Sequence, residues 1–292
     1  MGRTTTDQEE QGAGASRPAG TRFLDTSTAA DARIYDWFLG GVDNYEPDRV
    51  ACRDLLAVAP GAQQAARANR AFLIRAVRHL AGECGVVQFI DFGCGLPTDV
   101  NVHDVAQGTR PGARVVYVDH DPVVLAHART SLDDNEHTMV VDCDVREPGP
   151  VRQATDGFLD WAQPIAALFC AVLDCLPDTG DGRNPKGVLR SVVSDLSPGS
   201  HVVVSHRVSD DPAVRRGITA VMHEAVGRWG AVREAQDVRS LFDGLEAEFP
   251  GIGDVADWQP GRIPPPPQEL RPAGGGYWSG IGLVPAPPGA EK

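Results

Sequence analysis

From residue 86 to the end, short apolar runs alternate with stretches of helical periodicity. "VVQFIDFG", "RVVYVD", "TMVVDCD", "PIAALFCAVLD" and "SHVVVSH" read as strands. They are apolar on successive positions, as strands covered on both faces are. Between them, "TDVNVHDVAQG", "PVVLAHARTSL", "PVRQATDGFLDWA", "NPKGVLRSVVSDLSPG" and "DPAVRRGITAVMHEAVGRWG" read as helices, with Thr98 as the expected cap of the first. Strands joined through helices at this rhythm predict a parallel sheet with right-handed crossovers. The pattern then changes. "SLFDGLEAEF" predicts a short helix running into a strand, "QPGRIPPPPQELRPAGGG" a stiff irregular connector, and "YWSGIGLV" a last strand that forms an edge hairpin.

Three helical segments precede the sheet. "TSTAADARIYDWFLGG" opens on Ser/Thr cap candidates, places Ile34, Trp37 and Phe38 on one face, and stops at Gly40-Gly41. "PDRVACRDLLAVAPG" is shorter, and "AQQAARANRAFLIRAVRHLAGECG" carries Phe72, Leu73, Ala76, Val77 and Leu80 on one stripe. The expected organisation is a disordered polar tail over 1–20, a helical extension or lid over 21–84, a ligand-binding α/β domain over 85–285, and a tail over 286–292.

Composition narrows the partners. The 292 residues carry 27 basic and 40 acidic side chains, a net charge of −13. A surface that acidic repels a phosphate backbone, which argues against nucleic acid. No apolar run reaches the roughly 18 residues of a membrane span, and the first residues lack the apolar core of a secretion signal. Six scattered cysteines without Cys/His metal spacing point to a reducing, cytoplasmic setting and to no metal.

The chemistry gathers at "FIDFGCGLPT". A strand ending in Gly93-Cys94-Gly95 brings backbone close to a ligand. A pyrophosphate site wants N–H groups and no nearby anion, yet Asp91 stands two residues before the first glycine. Like charges at 4 Å repel by roughly 4 kcal/mol at an effective dielectric of 20. A cation such as S-adenosylmethionine reverses that sign. Asp119, followed by His120, ends the second strand and can accept from a ribose diol; a nicotinamide dinucleotide carries that diol too, so Asp119 alone does not decide. At the third strand's end, Asp144 can accept from an adenine amino group and the Val145 N–H can serve a ring nitrogen.

Five stretches carry a family resemblance: "ARIYDWFLGGVDNYEPDR", "ARANRAFLIRAVRHL", "QFIDFGCGLPTDVNVHDVA", "RVVYVDHDPVVLAHAR" and "GSHVVVSH". Over about residues 21 to 285 the chain resembles class I S-adenosylmethionine-dependent methyltransferases, and within them a bacterial group long catalogued as a domain of unknown function. The resemblance implies a Rossmann-like, seven-stranded sheet in the order 3-2-1-4-5-7-6 with the last strand antiparallel. It also implies S-adenosylmethionine held by Asp91, Gly93, Gly95, Asp119, Asp144 and Val145, with Cys94 and His120 flanking. Members often show "VLHxxPD" after the fourth strand; here the stretch is "VLDCLPD", with Asp174 in place of the histidine. The motifs of amino-directed nucleic-acid methyltransferases and of cytosine-C5 enzymes are absent, which favours a small-molecule acceptor.

Methyl transfer needs a general base only where the acceptor must lose a proton. The candidates are Asp174, His206 and His103. Tyr35, Asp43, Asn44 and Arg70 are candidates for an acceptor-shaping lid or for orienting the methionyl carboxylate. The competing expectation is a non-catalytic, regulatory module that binds S-adenosylmethionine or S-adenosylhomocysteine. The sequence carries no signal for oligomeric state.

Overall fold

The computed structural model describes residues 25–261 and 275–287. The expected N-terminal tail, most of the proline-rich connector and most of the C-terminal tail lie outside the described residues.

Three helices come first: α1 (Asp31–Leu39), α2 (Glu46–Val58) and α3 (Ala62–Gly82). The alternating region follows as β1 (Gln88–Phe92), α4 (Val102–Thr109), β2 (Arg114–Asp119), α5 (Pro122–Ser131), β3 (Thr138–Asp142), α6 (Gly149–Ala154), β4 (Ala166–Cys170), α7 (Pro185–Asp195), β5 (His201–Val208) and α8 (Pro212–Val226). Then come α9 (Ala235–Arg239), β6 (Glu246–Ala247), β7 (Gly253–Asp254) and β8 (Gly276–Leu283).

The sheet runs β3-β2-β1-β4-β5-β8-β6, parallel through β5, with β8 antiparallel to β5 and β6 antiparallel to β8. This is the expected Rossmann-like order. The outermost position is divided: β6 pairs with Gly282–Leu283, and the two-residue β7 pairs with Trp278–Ser279, giving an eighth strand.

Successive side chains alternate between two cores, as the pleat requires. Ile90, Phe92, Val116, Val118, Phe169 and Val204 face α6, α7 and α9, where the Phe92 and Phe169 rings stack 4.7 Å apart. Phe89, Val115, Tyr117, Leu168 and Val203 face α3 and α4. A third cluster joins Ile34, Phe38, Cys52 and Leu55 of α1 and α2 to Ile218 and Met222 of α8, with Trp229. So α1 and α2 roof the carboxyl edge of the sheet, while α3, expected within the helical extension, is a layer of the sheet's own core.

Local details depart from the sequence reading where side chains from elsewhere intervene. No Ser or Thr caps α1. Its N-cap is Ala30, whose N–H donates to Asp48 Oδ1 at 2.9 Å, while Asp48 Oδ2 accepts from Arg33 Nε at 2.9 Å. Asn101, not Thr98, caps α4, in a capping box with Asp104. β4 ends at Cys170, short of the expected strand, because Ala171 turns the chain in the left-handed region at φ 57°. α6 has only six residues of the helix expected there.

Candidate functional site

The carboxyl ends of β1 to β5 and the face of α1 enclose a cleft of about 390 Å³. That is a size suited to a small organic ligand. Asp91, Gly93, Cys94, Gly95, Asp119, His120, Asp144, Val145, Tyr35, Arg70 and Asp174 all line it.

Both turn glycines sit at φ 66°, where a β-carbon is penalised, but for different reasons. A β-carbon on Gly93 would come within 2.3 Å of Val172 Cγ2, so that position belongs to packing. A β-carbon on Gly95 would meet no protein atom within 4 Å, so its bare backbone faces the cleft.

Asp91 is 4% exposed and accepts no hydrogen bond from any described residue. Burial pushes its carboxyl up to about 7, with Arg70 opposing and Asp119 adding to the rise. A buried carboxylate without a donor is costly, and a cationic ligand relieves that cost. Asn69 Oδ1 in the same wall is buried and also lacks a partner, and Asn69 Nδ2 donates to the Tyr35 hydroxyl at 2.9 Å.

Asp119 is prepared differently. Its Oδ1 accepts from the N–H groups of His120 (2.8 Å) and Asp121 (2.9 Å), and its Oδ2 from Gly95 N–H at 3.1 Å. Burial still raises its pKa against those bonds. Asp144 is closed by Arg146, whose Nε lies 2.9 Å from both carboxylate oxygens. Burial pushes Asp144 upward, but the Arg146 side chain and N–H outweigh it and hold the carboxyl below its ordinary range. Any adenine amino group there shares Asp144 with Arg146.

Of the candidate bases, only Asp174 lines the cleft. It is 3% exposed and its Oδ1 has no partner. Across from it, Asp31 of α1 is raised to about 7 by burial and by the Asp174 charge. His206 is fully buried off the cleft; its Nδ1 donates to Arg207 O at 2.8 Å, and its Nε2 accepts from Arg233 Nη1 at 2.6 Å. With both nitrogens engaged, and with burial lowering its pKa, it has no lone pair left for an acceptor. His103 is buried against Tyr117, Nδ1 to hydroxyl at 2.7 Å, and does not line the cleft.

The structure does not bring Asp43 and Asn44 to the cleft either. Asn44 is buried: its Nδ2 donates to Asp36 Oδ2 (2.8 Å) and Gly41 O (3.0 Å), and its Oδ1 accepts from Arg49 at 2.8 Å. Asp43 is half exposed, 3.6 Å from His127 of α5. Arg70 does reach the cleft, with Nη2 donating to Thr98 Oγ1 and Val100 O at 2.6 Å each.

Sequence reasoning passed over Asn69, Asp31, Arg207 and Tyr277, which also line the cleft. Spacing along the chain missed one further group: His79, Cys84 and Glu248, at the amino-terminal end of the sheet, bring potential ligand atoms within 4.8 Å of one another. Two imidazoles account for Glu248 without an ion: His201 Nε2 lies 2.8 Å from Oε1 and His79 Nε2 3.5 Å from Oε2. All six cysteines are free. Among the described residues no helix is long and apolar enough to cross a membrane.

The comparisons bear on this geometry. The profile of the family described as S-adenosyl methyltransferase matches residues 18–285. The crystal structure of a candidate methyltransferase from Thermobifida fusca YX is 36% identical, with 90% of this chain and 97% of that one covered and a TM-score of 0.82. A DUF574 family protein from Streptomyces avermitilis MA-4680 is 30% identical, covering 90% of this chain and 100% of its own, with a TM-score of 0.80. No curated protein matches the chain. The family match spans the glycine turn and all three strand-end acids, and the unpartnered Asp91 and the open Gly95 suit a ligand with an ammonium and no phosphate. The chain belongs to the S-adenosyl methyltransferase family, and S-adenosylmethionine is its cofactor.

Proposed function

We propose that the protein transfers a methyl group to a small-molecule acceptor, held between α1, α8 and the end of β5. The observation that carries this reading is Asp91, a buried carboxyl at the mouth of a glycine turn with no hydrogen-bond donor among the described residues. In this reading Asp91 and Asn69 Oδ1 take the ammonium of the cofactor, and Gly95 lets it lie against bare backbone. Asp119 accepts from the ribose hydroxyls, with His120 beside it, and Asp144 and the Val145 N–H serve the adenine. Arg70 orients the methionyl carboxylate. When bound, S-adenosylmethionine supplies an electrophilic methyl group on a sulfonium.

The chain's own contribution beyond binding is positioning, for which effective molarities are worth about 7–11 kcal/mol. The roof of α1 and α2 excludes water from the acceptor side. Asp174 is the group that takes a proton where the acceptor must lose one, since its buried Oδ1 has no partner among the described residues. Burial, and then the Asp174 charge, raise the Asp31 carboxyl beside it to about 7, which disfavours charge on Asp31 below neutral pH. In this reading α1 and α2 supply the roof, and the described residues from 85 onward the cofactor domain, with α3 shared between them.

A cleft that continues past the cofactor side to Ile218, Met222 and Tyr277 favours turnover over a binding-only module. Calorimetry with S-adenosylmethionine, S-adenosylhomocysteine and NAD tests the cofactor side. The expected result is 1:1 binding of the first two and none of NAD; preferential NAD binding overturns the reading. Methyl release from S-adenosylmethionine during an acceptor screen separates the enzyme from the binding-only module.

A further inference from the structure

Arg207 is the penultimate residue of β5, two strands beyond Asp91 in the order β1-β4-β5. It lines the cleft and is 9% exposed. Its guanidinium lies over the Tyr277 ring, 5.1 Å from the centroid, and its Nε and Nη2 both point at the Tyr277 hydroxyl, at 3.4 and 3.1 Å. Nη1 makes no hydrogen bond to any described residue, and among those residues no carboxylate comes within 4.0 Å of the guanidinium. Asp174 acts on the charge only from farther away. One edge of the guanidinium is therefore taken by a phenol and the Nη1/Nη2 edge is left open. Burial works against the charge, though the Tyr277 hydroxyl and the more distant Asp174 outweigh it, and an open guanidinium fork matches a carboxylate in two parallel bonds.

Resting on the methyltransferase reading above, we infer that the acceptor carries a carboxylate, which docks on the open edge of Arg207 while its apolar body lies against Ile218 and Met222. Asp174, in the same wall, faces the nucleophilic end of such a molecule. The methionyl carboxylate of the cofactor is assigned elsewhere, because Arg70, and not Arg207, is the guanidinium that acts on Asp91 beside the glycine turn.

The test is calorimetric titration of the full chain with benzoate and with benzamide, with and without S-adenosylhomocysteine present, so that the anion site is read whether or not the nucleoside binds. Benzoate should bind 1:1 and saturably in the millimolar range, and benzamide at least 10-fold more weakly. Arg207→Gln should lose the difference between the two. Arg207→Lys, which keeps the charge but not the fork, should bind benzoate with intermediate strength. Neither variant should move the affinity for S-adenosylhomocysteine more than 2-fold. Equal binding of benzoate and benzamide to the parent protein, or no benzoate binding, overturns the inference without needing a variant. It is also overturned if Arg207→Gln weakens S-adenosylhomocysteine 10-fold and leaves methylthioadenosine, which lacks the carboxylate, unchanged; Arg207 then serves the cofactor. Failure of S-adenosylhomocysteine to bind the parent protein would contradict the cofactor reading separately.

Discussion

Arg70 and Asp91 face the same cleft, yet the guanidinium does not close on the carboxylate: it is tied to Thr98 Oγ1 and Val100 O. No hydrogen bond or ion pair joins the two, and in the proposed reading they take the ammonium and the carboxylate of the cofactor.

That arrangement sets a pH dependence. Asp91 and Asp31 are both pushed up to about 7, above the value a carboxyl has in an unfolded chain, so the ligand-free fold holds more protons than the unfolded chain. Their contribution to stability is fully present below about pH 4 and is lost as pH rises toward 7. The melting temperature of ligand-free protein should therefore carry a downward component from pH 5 to pH 8. Saturating S-adenosylhomocysteine, whose ammonium favours ionised Asp91, should flatten it. Calorimetry in buffers of different ionisation enthalpy should show proton release on binding near pH 6.5; proton uptake would contradict the assignment.

The two turn glycines should fail differently. Gly93→Ala drives a β-carbon into Val172 and should lower the melting temperature sharply, with partial rescue by Val172→Ala. Gly95→Ala meets no protein atom and should cost only the backbone term of about 1–2 kcal/mol, while weakening S-adenosylhomocysteine. Unfolding curves and binding isotherms for both variants check this.

Asp119 holds structure and, in the proposed reading, ligand as well. Replacing it by Ala strips the acceptor from three backbone N–H groups and should lower stability together with affinity. Asp119→Asn keeps part of that network. It should lose a charge-assisted bond of about 1.5–3 kcal/mol, roughly 10- to 150-fold in affinity. Unchanged affinity in the Asn variant would remove Asp119 from the ribose.

Asn44 should behave as a structural residue. Its side chain ties Asp36, Gly41 and Arg49 together and does not itself line the cleft, so Asn44→Ala should cost about 1–3 kcal/mol of stability. The melting-temperature shift induced by S-adenosylhomocysteine should stay that of the parent. A reduced ligand shift with an unchanged melting temperature would return Asn44 to a lid role.

The sheet, and the strand ends that line the cleft, were legible because each rests on a local signal. Double-sided burial writes continuous apolar runs, and Asp91, Asp119 and Asp144 stand at strand ends that those runs mark. The far side of the cleft, where the proposed acceptor lies, was not, because its residues come together only through the third dimension. Arg207 and Tyr277 meet across the β5–β8 ladder, and Asp31 reaches the wall from α1. Ala171 takes a left-handed turn that no glycine announces. The histidines misled for a related reason: His206 ends a strand as a base would, but Arg233, 27 residues on, takes its free nitrogen. At the first helix, Asp48 replaces the hydroxyl cap from a neighbouring helix.

The most direct test is Asp91→Asn, which keeps shape and removes the charge. Calorimetry at pH 8, where the native carboxylate is ionised, should show S-adenosylhomocysteine binding at least 10-fold more weakly than to the parent protein, with a melting temperature equal to or above it, since an uncompensated buried charge has gone. Parental affinity in the Asn variant would contradict the claim that an unpaired carboxylate at the glycine turn holds the cofactor's cation.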